Sequence, residues 1–236
     1  MQRYLPLLAA AVLIIASSTA LADEPRAPDA TRKPHVLILG DSISIGYTPA
    51  VREILKSEAV VIRPTRKNNR PENCAGTNNG VAHIDRWLKL GDGRWDVIHF
   101  NFGLHDLKHV DPKTGRNSSN AAHPHQAPPE RYEKQLREIV GKLKKTKAKL
   151  IFATTTPVPT GGVRPYRDVK DPARYNAIAA KIMKENDVAV DDLYTAAQSR
   201  LKKIQQPVNV HFTKEGSRFL AEQVAKHIRH AMKPAK

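Results

Sequence analysis

The chain has 236 residues, with 39 Lys+Arg against 23 Asp+Glu, 40% apolar residues and a single Cys. That length suits one domain with a sizeable core, and the apolar content excludes a wholly disordered chain. One Cys excludes an internal disulfide framework and a Cys-rich zinc site. The net charge of +16 brings nucleic acid, anionic lipid and acidic polysaccharide into view as partners. No nucleic-acid-binding motif accompanies the charge, and the lysine-rich run at 142–149 reads as a solvated helix face, so no nucleic-acid partner is expected.

Residues 1–22 read as a secretory signal peptide. Arg3 gives a positive start, residues 5–16 are apolar apart from Pro6, and Ala20-Leu21-Ala22 has the small-x-small form of a cleavage site. The expectation is an exported protein, periplasmic or secreted, with no stable membrane span after cleavage. A flexible leader is expected at 23–33, and a single domain at 34–236.

In chain order, residues 35–39 are a continuous apolar run ending at Gly40, as in a buried parallel strand. A short helix follows at 50–57 and a second strand at 60–62. A helix at 81–90 carries Ile84, Trp87 and Leu88 on one face, and a third strand spans 96–101. Residues 108–128, rich in Pro, Gly, Asn, Ser and His, read as a long, mobile, solvent-exposed loop. An amphipathic helix at 129–143 spaces Tyr132, Leu136, Ile139 and Leu143 by 4, 3 and 4. A strand at 150–154 and a helix at 171–185 follow, the latter with Asp171 as N-cap and Pro172 at N1. A fifth strand at 188–190 and a last helix from Thr213 to about residue 232 complete the pattern. Strand–helix alternation predicts one three-layer α/β/α sandwich with a mainly parallel five-stranded sheet.

Chemistry collects where such strands end. Gly40-Asp41-Ser42 follows the first strand and offers a hydroxyl. Asn73-Cys74-Ala75-Gly76 opens a polar loop whose backbone N–H groups can hold an oxyanion. Gly103-Leu104-His105-Asp106 follows the third strand. His211, just before the last helix, can serve as the base that a serine needs. Cys74 has no assigned base and reads as a buried small side chain. Trp87 and Trp95 read as core. The spacings of His105, His109, His123 and His125 follow no common zinc pattern, so no metal site is expected.

These four blocks, in this order, resemble the SGNH hydrolases, the GDSL esterase/lipase family. The resemblance spans residues 36–232 and implies a flavodoxin-like fold and a serine esterase without metal or cofactor. It implies Ser42 as nucleophile and His211 as base, with an oxyanion hole formed by Ser42, Gly76 and His105. His105 stands where the family usually has Asn, and its imidazole N–H could donate instead. Asp41 would support the nucleophile loop, and Asp106 belongs to the third block. The family's usual Asp three residues before the base is replaced by Val208. Asn209, Asp191, Asp192 or a main-chain carbonyl remain as groups to orient His211. The substrates expected are short acyl esters, acetyl above all, of small molecules or polysaccharide. The alternatives are a lipolytic esterase or lysophospholipase, or a weakly catalytic protein that binds anionic polysaccharide.

Overall fold

A computed structural model describes residues 32–233. The expected signal peptide, and the expected leader up to residue 31, lie outside the described residues. Five strands form one parallel sheet in the order β2-β1-β3-β4-β5: β1 (His35–Leu39), β2 (Val60–Ile62), β3 (Val97–Phe100), β4 (Lys149–Ala153) and β5 (Ala189–Asp191). The apolar runs make sense in this setting. Every residue of β3, and Val36 through Leu39 of β1, is buried, because helices cover both sheet faces. The strand order reverses direction between β1 and β3, which opens a crevice at their carboxyl ends.

The helices are α1 (Ser42–Ile54), α2 (Thr77–Leu88), α3 (Pro129–Lys144), α4 (Asp171–Glu185), the short α5 (Leu193–Gln198) and α6 (Leu201–Ile204), and α7 (Lys214–Met232). Helix α1 packs on α7, and α3 packs between α2 and α4. The five strands and the amphipathic α3 stand where the sequence places them, to within a residue or two. Trp87 and Trp95 are both core, with their indole N–H groups bound to Glu72 and to the Leu88 carbonyl.

Four local expectations need correction. Helix α1 begins at Ser42 rather than at residue 50. Gly46 and Pro49 weaken the local helix signal, but Asp41 caps the helix by accepting from Ile43 N (2.9 Å), and the Ser44 hydroxyl donates to the Asp41 carbonyl (2.7 Å). Helix α2 begins at Thr77 rather than 81. Its N-cap, Gly76, has no side chain, and the missing acceptor comes from Asp106, 29 residues away, which takes Thr77 N at 2.7 Å. Asp171 is the first helical residue of α4 instead of its N-cap, and its carboxylate binds His125 (2.7 Å). The stretch 108–128 is not a solvent-exposed loop throughout. His109 is buried, its N–H donates to the Tyr166 carbonyl, and its backbone bridges to His125.

The start of α7 is fixed by two residues. Thr213 caps the helix by accepting from Gly216 N at 3.0 Å. Gly216 must lack a side chain, since a Cβ there would lie 2.0 Å from the Ile204 carbonyl oxygen. Gly216→Ala is therefore expected to cost about 2–3 kcal/mol through overpacking against backbone. That corresponds to roughly 4–12 °C in Tm for a domain of this size, measurable by calorimetry.

Candidate active site

The site is built at the carboxyl edge of the sheet. Ser42 directly follows the β1 loop and is the first residue of α1, so its hydroxyl stands at a helix N-terminus. His211 sits two residues before the Thr213 cap of α7. Contact between α1 and α7 brings the two together. His211 Nε2 lies 2.9 Å from Ser42 Oγ. On the other side of the ring, His211 Nδ1 lies 2.7 Å from Asn209 Oδ1, which also accepts the His211 backbone N–H at 3.0 Å. An oxygen that accepts from both atoms places the ring proton on Nδ1. Nε2 is then a free acceptor facing the serine hydroxyl, as a general base requires.

The group opposite Ser42 on the imidazole is thus the Asn209 carboxamide. Asp191 and Asp192 do not take this place. Asp191, at the end of β5, is buried between His99 Nε2 and His227 Nδ1, each 3.1 Å away. Asp192 caps α5 through Thr195 N and accepts from the Thr154 hydroxyl, and these donors hold its carboxyl below the usual range against the opposing effect of its partial burial. Val208 points outward, 53% exposed, with φ +49.

A ring of interactions stiffens the loops around Ser42. The Arg63 guanidinium, 3% exposed, donates to Ser44 Oγ, Thr48 Oγ1 and the carbonyls of Gly40 and Glu72. Cys74 N donates to the Gly40 carbonyl. The Cys74 thiol is fully buried and pushed up to about 12 by that burial, so it is inert. Asp41 is buried and acts as the α1 cap.

Asp106 ties the second block to the third. Its Oδ1 accepts from Thr77 N and contacts Thr77 Oγ1 at 2.6 Å, while Gln135 Oε1 lies 2.8 Å from the same hydroxyl. One hydroxyl proton cannot serve both oxygens, and a proton on the Asp106 carboxyl would supply the missing donor. Burial pushes this carboxyl up to about 7. Gly76 must be glycine here, because a Cβ would come within 2.8 Å of Asp106 Oδ1.

His105 is half-buried and lines the same cleft as Ser42 and His211. Burial lowers its imidazole to about 4, so at neutral pH it is an uncharged N–H donor. Gly76 is not among the residues lining the cleft, whereas Asn73 is. Asn73 opens the loop that the sequence singled out for its glycine. Lys108, Arg164 and Arg167 also line the cleft. Nothing in their local sequence marks them, but all three follow strand ends, and that position is the available signal.

Away from this cleft, His109, His125 and Asp171 place possible ligand atoms within 4.8 Å of one another. The 2.7 Å His125–Asp171 hydrogen bond accounts for the arrangement by fastening residues 108–128 to α4.

The model of the GDSL-like Lipase/Acylhydrolase family matches residues 38–219. The lipase/acylhydrolase from Enterococcus faecalis superposes with a TM-score of 0.66 at 19% identity, over 86% of this chain and 99% of that one. The acetyl xylan esterase AlAXEase gives 0.63 at 17%, over 82% and 99%. Axe2, an acetylxylan esterase from Geobacillus stearothermophilus, gives 0.63 at 17%, over 85% and 95%. No curated protein matches the chain in sequence.

Two outcomes follow from the geometry. If the Asn209 oxygen fixes the tautomer of His211, Asn209→Ala should lower kcat on the order of 10²-fold with little change in KM. Asn209→Asp keeps the acceptor and adds charge, so kcat should rise about tenfold, the worth of a charge-assisted hydrogen bond over a neutral one.

Asp106 carries a pH dependence with a defined sign. Its folded value, about 7, exceeds the ordinary 3.8, so the fold favours the protonated form. That stabilisation is complete below pH 3.8 and is lost as the pH rises through about 7. Asp106→Asn stays neutral. The Tm of the variant minus that of the wild type should therefore grow between about pH 4 and pH 8. A constant difference would mean that Asp106 is ionised throughout.

Proposed function

This chain belongs to the GDSL-like Lipase/Acylhydrolase family, ester-hydrolysing serine hydrolases, and from that premise we propose an exported esterase that removes short acyl groups, acetyl above all, from carbohydrate. One observation carries the reading: an unbroken hydrogen-bonded series from Ser42 Oγ through the His211 ring to Asn209 Oδ1, at 2.9 and 2.7 Å. The signal-like residues 1–22 support export. The acetyl xylan esterases among the structural neighbours support the acetyl-carbohydrate class.

In the proposed mechanism, Ser42 Oγ attacks the ester carbonyl carbon while its proton passes to His211 Nε2. The carbonyl oxygen becomes an oxyanion at the N-terminus of α1. Ser42 N–H and the neutral His105 imidazole, both in the cleft, are the donors assigned to it, and Gly76, which does not line the cleft, shapes the loop beside them. Collapse of the tetrahedral adduct breaks the bond to the alcohol oxygen, which takes the proton from His211. A water then loses a proton to His211 and attacks the acyl-serine. The acid leaves, and Ser42 regains its proton. Asn209 holds the imidazole in register through both halves. Its carboxamide stabilises imidazolium by dipole rather than by charge, so catalysis is expected to be modest beside that of a carboxylate triad.

The test is p-nitrophenyl acetate hydrolysis by the purified protein. Wild type should turn it over, and Ser42→Ala should abolish both turnover and labelling by a fluorophosphonate. His105→Ala should lose on the order of 10² in kcat, with partial recovery in His105→Asn. Equal rates for wild type and Ser42→Ala would sink the reading.

A further inference from the structure

The catalytic cleft, about 650 Å³, contains a charge arrangement that ester hydrolysis itself does not explain. Lys108, Arg164 and Arg167 line it, and no Asp or Glu does. Arg167 is 7% exposed. Its Nε donates to the Leu104 carbonyl (2.8 Å) and its Nη1 to the Pro165 carbonyl (3.3 Å), which leaves Nη2 without an acceptor among the described residues. Lys108 is half-buried beside it and forms no ion pair among the described residues. Burial, and then the Arg167 charge, lowers Lys108. Burial likewise brings Arg167 down to about 10, so it stays cationic at neutral pH. The Asp41 carboxylate acts on Arg167 and that of Asp106 on Lys108, but neither lines the cleft or bonds to these cations, so the cleft presents two adjacent positive charges to a ligand.

The arrangement continues beyond the cleft. A second concavity, about 790 Å³, adjoins it across Val208. Arg200, Lys202 and Lys203 line this one, again with no acidic residue. Arg200 stacks over the Phe219 ring at 5.0 Å, while Lys202 and Lys203 are exposed and form no ion pair among the described residues. The two concavities thus form a cationic track with Ser42 in its first half. An acetyl group fills only the space next to Ser42, so most of the track is left for the alcohol portion.

We propose that the alcohol portion of the substrate is an anionic oligosaccharide, its carboxylate or sulfate groups held by Lys108, Arg164 and Arg167 in the cleft and by Arg200, Lys202 and Lys203 beyond Val208. This deepens the esterase reading and rests on it. Arg167 forms the floor of the site, the fixed guanidinium fork suiting a planar carboxylate or a sulfate face. The exposed lysines of the second concavity meet the sugar residues that follow the acetylated one.

The experiment compares kcat/KM on three sets of acetylated oligosaccharides of matched length: neutral xylo-oligosaccharides, oligogalacturonates and sulfated galactan oligosaccharides. Wild type should favour one anionic set by about tenfold or more at low salt, and the preference should shrink as salt screens it. The arm that wins identifies carboxylate or sulfate. Lys108→Met and the double variant Lys202→Glu/Lys203→Glu should each reduce the anionic-to-neutral ratio severalfold. Equal kcat/KM on all three sets, or a preference that neither variant changes, overturns the proposal. p-Nitrophenyl acetate separates the two readings. If wild type fails to turn it over, the esterase reading falls. Calorimetric binding of the unacetylated anionic oligosaccharides then decides the track alone. Binding that weakens in Lys202→Glu/Lys203→Glu supports it, and no binding to wild type overturns it.

Discussion

Helices α1 and α7 lie side by side against the sheet, and their contact joins two residues 169 positions apart in the chain. The site depends on that contact. Gly46 of α1 sits opposite Ser217 of α7, where a Cβ would approach the Ser217 hydroxyl to 3.2 Å. The first turn of α1 carries Ser42 at one end of the contact. The Thr213 cap and Gly216, pressed against the Ile204 carbonyl, set the first turn of α7 and the position of His211. Because both helices begin at the same edge of the sheet, the hydroxyl and the imidazole meet at 2.9 Å.

Around this contact the buried carboxylates are taken up inside the fold, Asp41 by the cap of α1. Arg63 is buried on neutral acceptors only, two hydroxyls and two carbonyls. Asp106 is buried deeply enough to favour its protonated form, and Asp191 is enclosed between two imidazoles. At the His211 imidazole a carboxamide stands where a carboxylate would supply charge. The result is a site with positive or neutral groups facing the substrate. Such a site loses some stabilisation of imidazolium, but with no carboxylate lining the cleft it attracts anionic ligands. The reduced drive at His211 and the cationic track are two consequences of one charge distribution.

Much of this was legible in the sequence for physical reasons. Parallel strands buried on both faces leave continuous apolar runs, which mark β1, β3 and β4, while the part-exposed edge strands β2 and β5 show as short β-branched runs. The α3 period and the Thr213 cap are local signals of the same kind. What could not be read locally depended on distant partners. The start of α2 is set by Asp106 from another loop, and the start of α1 by a cap that outweighs Gly46 and Pro49. His109 and His125 looked exposed until the backbone folded them against Tyr166 and Asp171. At the site, Ser42 and His211 stood out because their blocks recur in order. The replacement for the missing acid did not, because it sits at Asn209, one residue from the position that the family pattern indicates, and the pattern gives no backbone direction. Val208, with positive φ, turns the chain so that residue 209 rather than 208 faces the imidazole. The cations of the track come from three separate segments, and only the fold sets them along one groove.

The central claim is that Asn209 holds His211 with its proton on Nδ1 and Nε2 free for Ser42. The most direct measurement is ¹⁵N NMR of protein labelled at histidine. The chain has ten His, so the His211 signals are assigned by their loss in His211→Gln. At neutral pH the account expects a protonated Nδ1 and an unprotonated Nε2 for His211, becoming a tautomer mixture in Asn209→Ala. A wild-type His211 protonated on Nε2, or unchanged by Asn209→Ala, would contradict it.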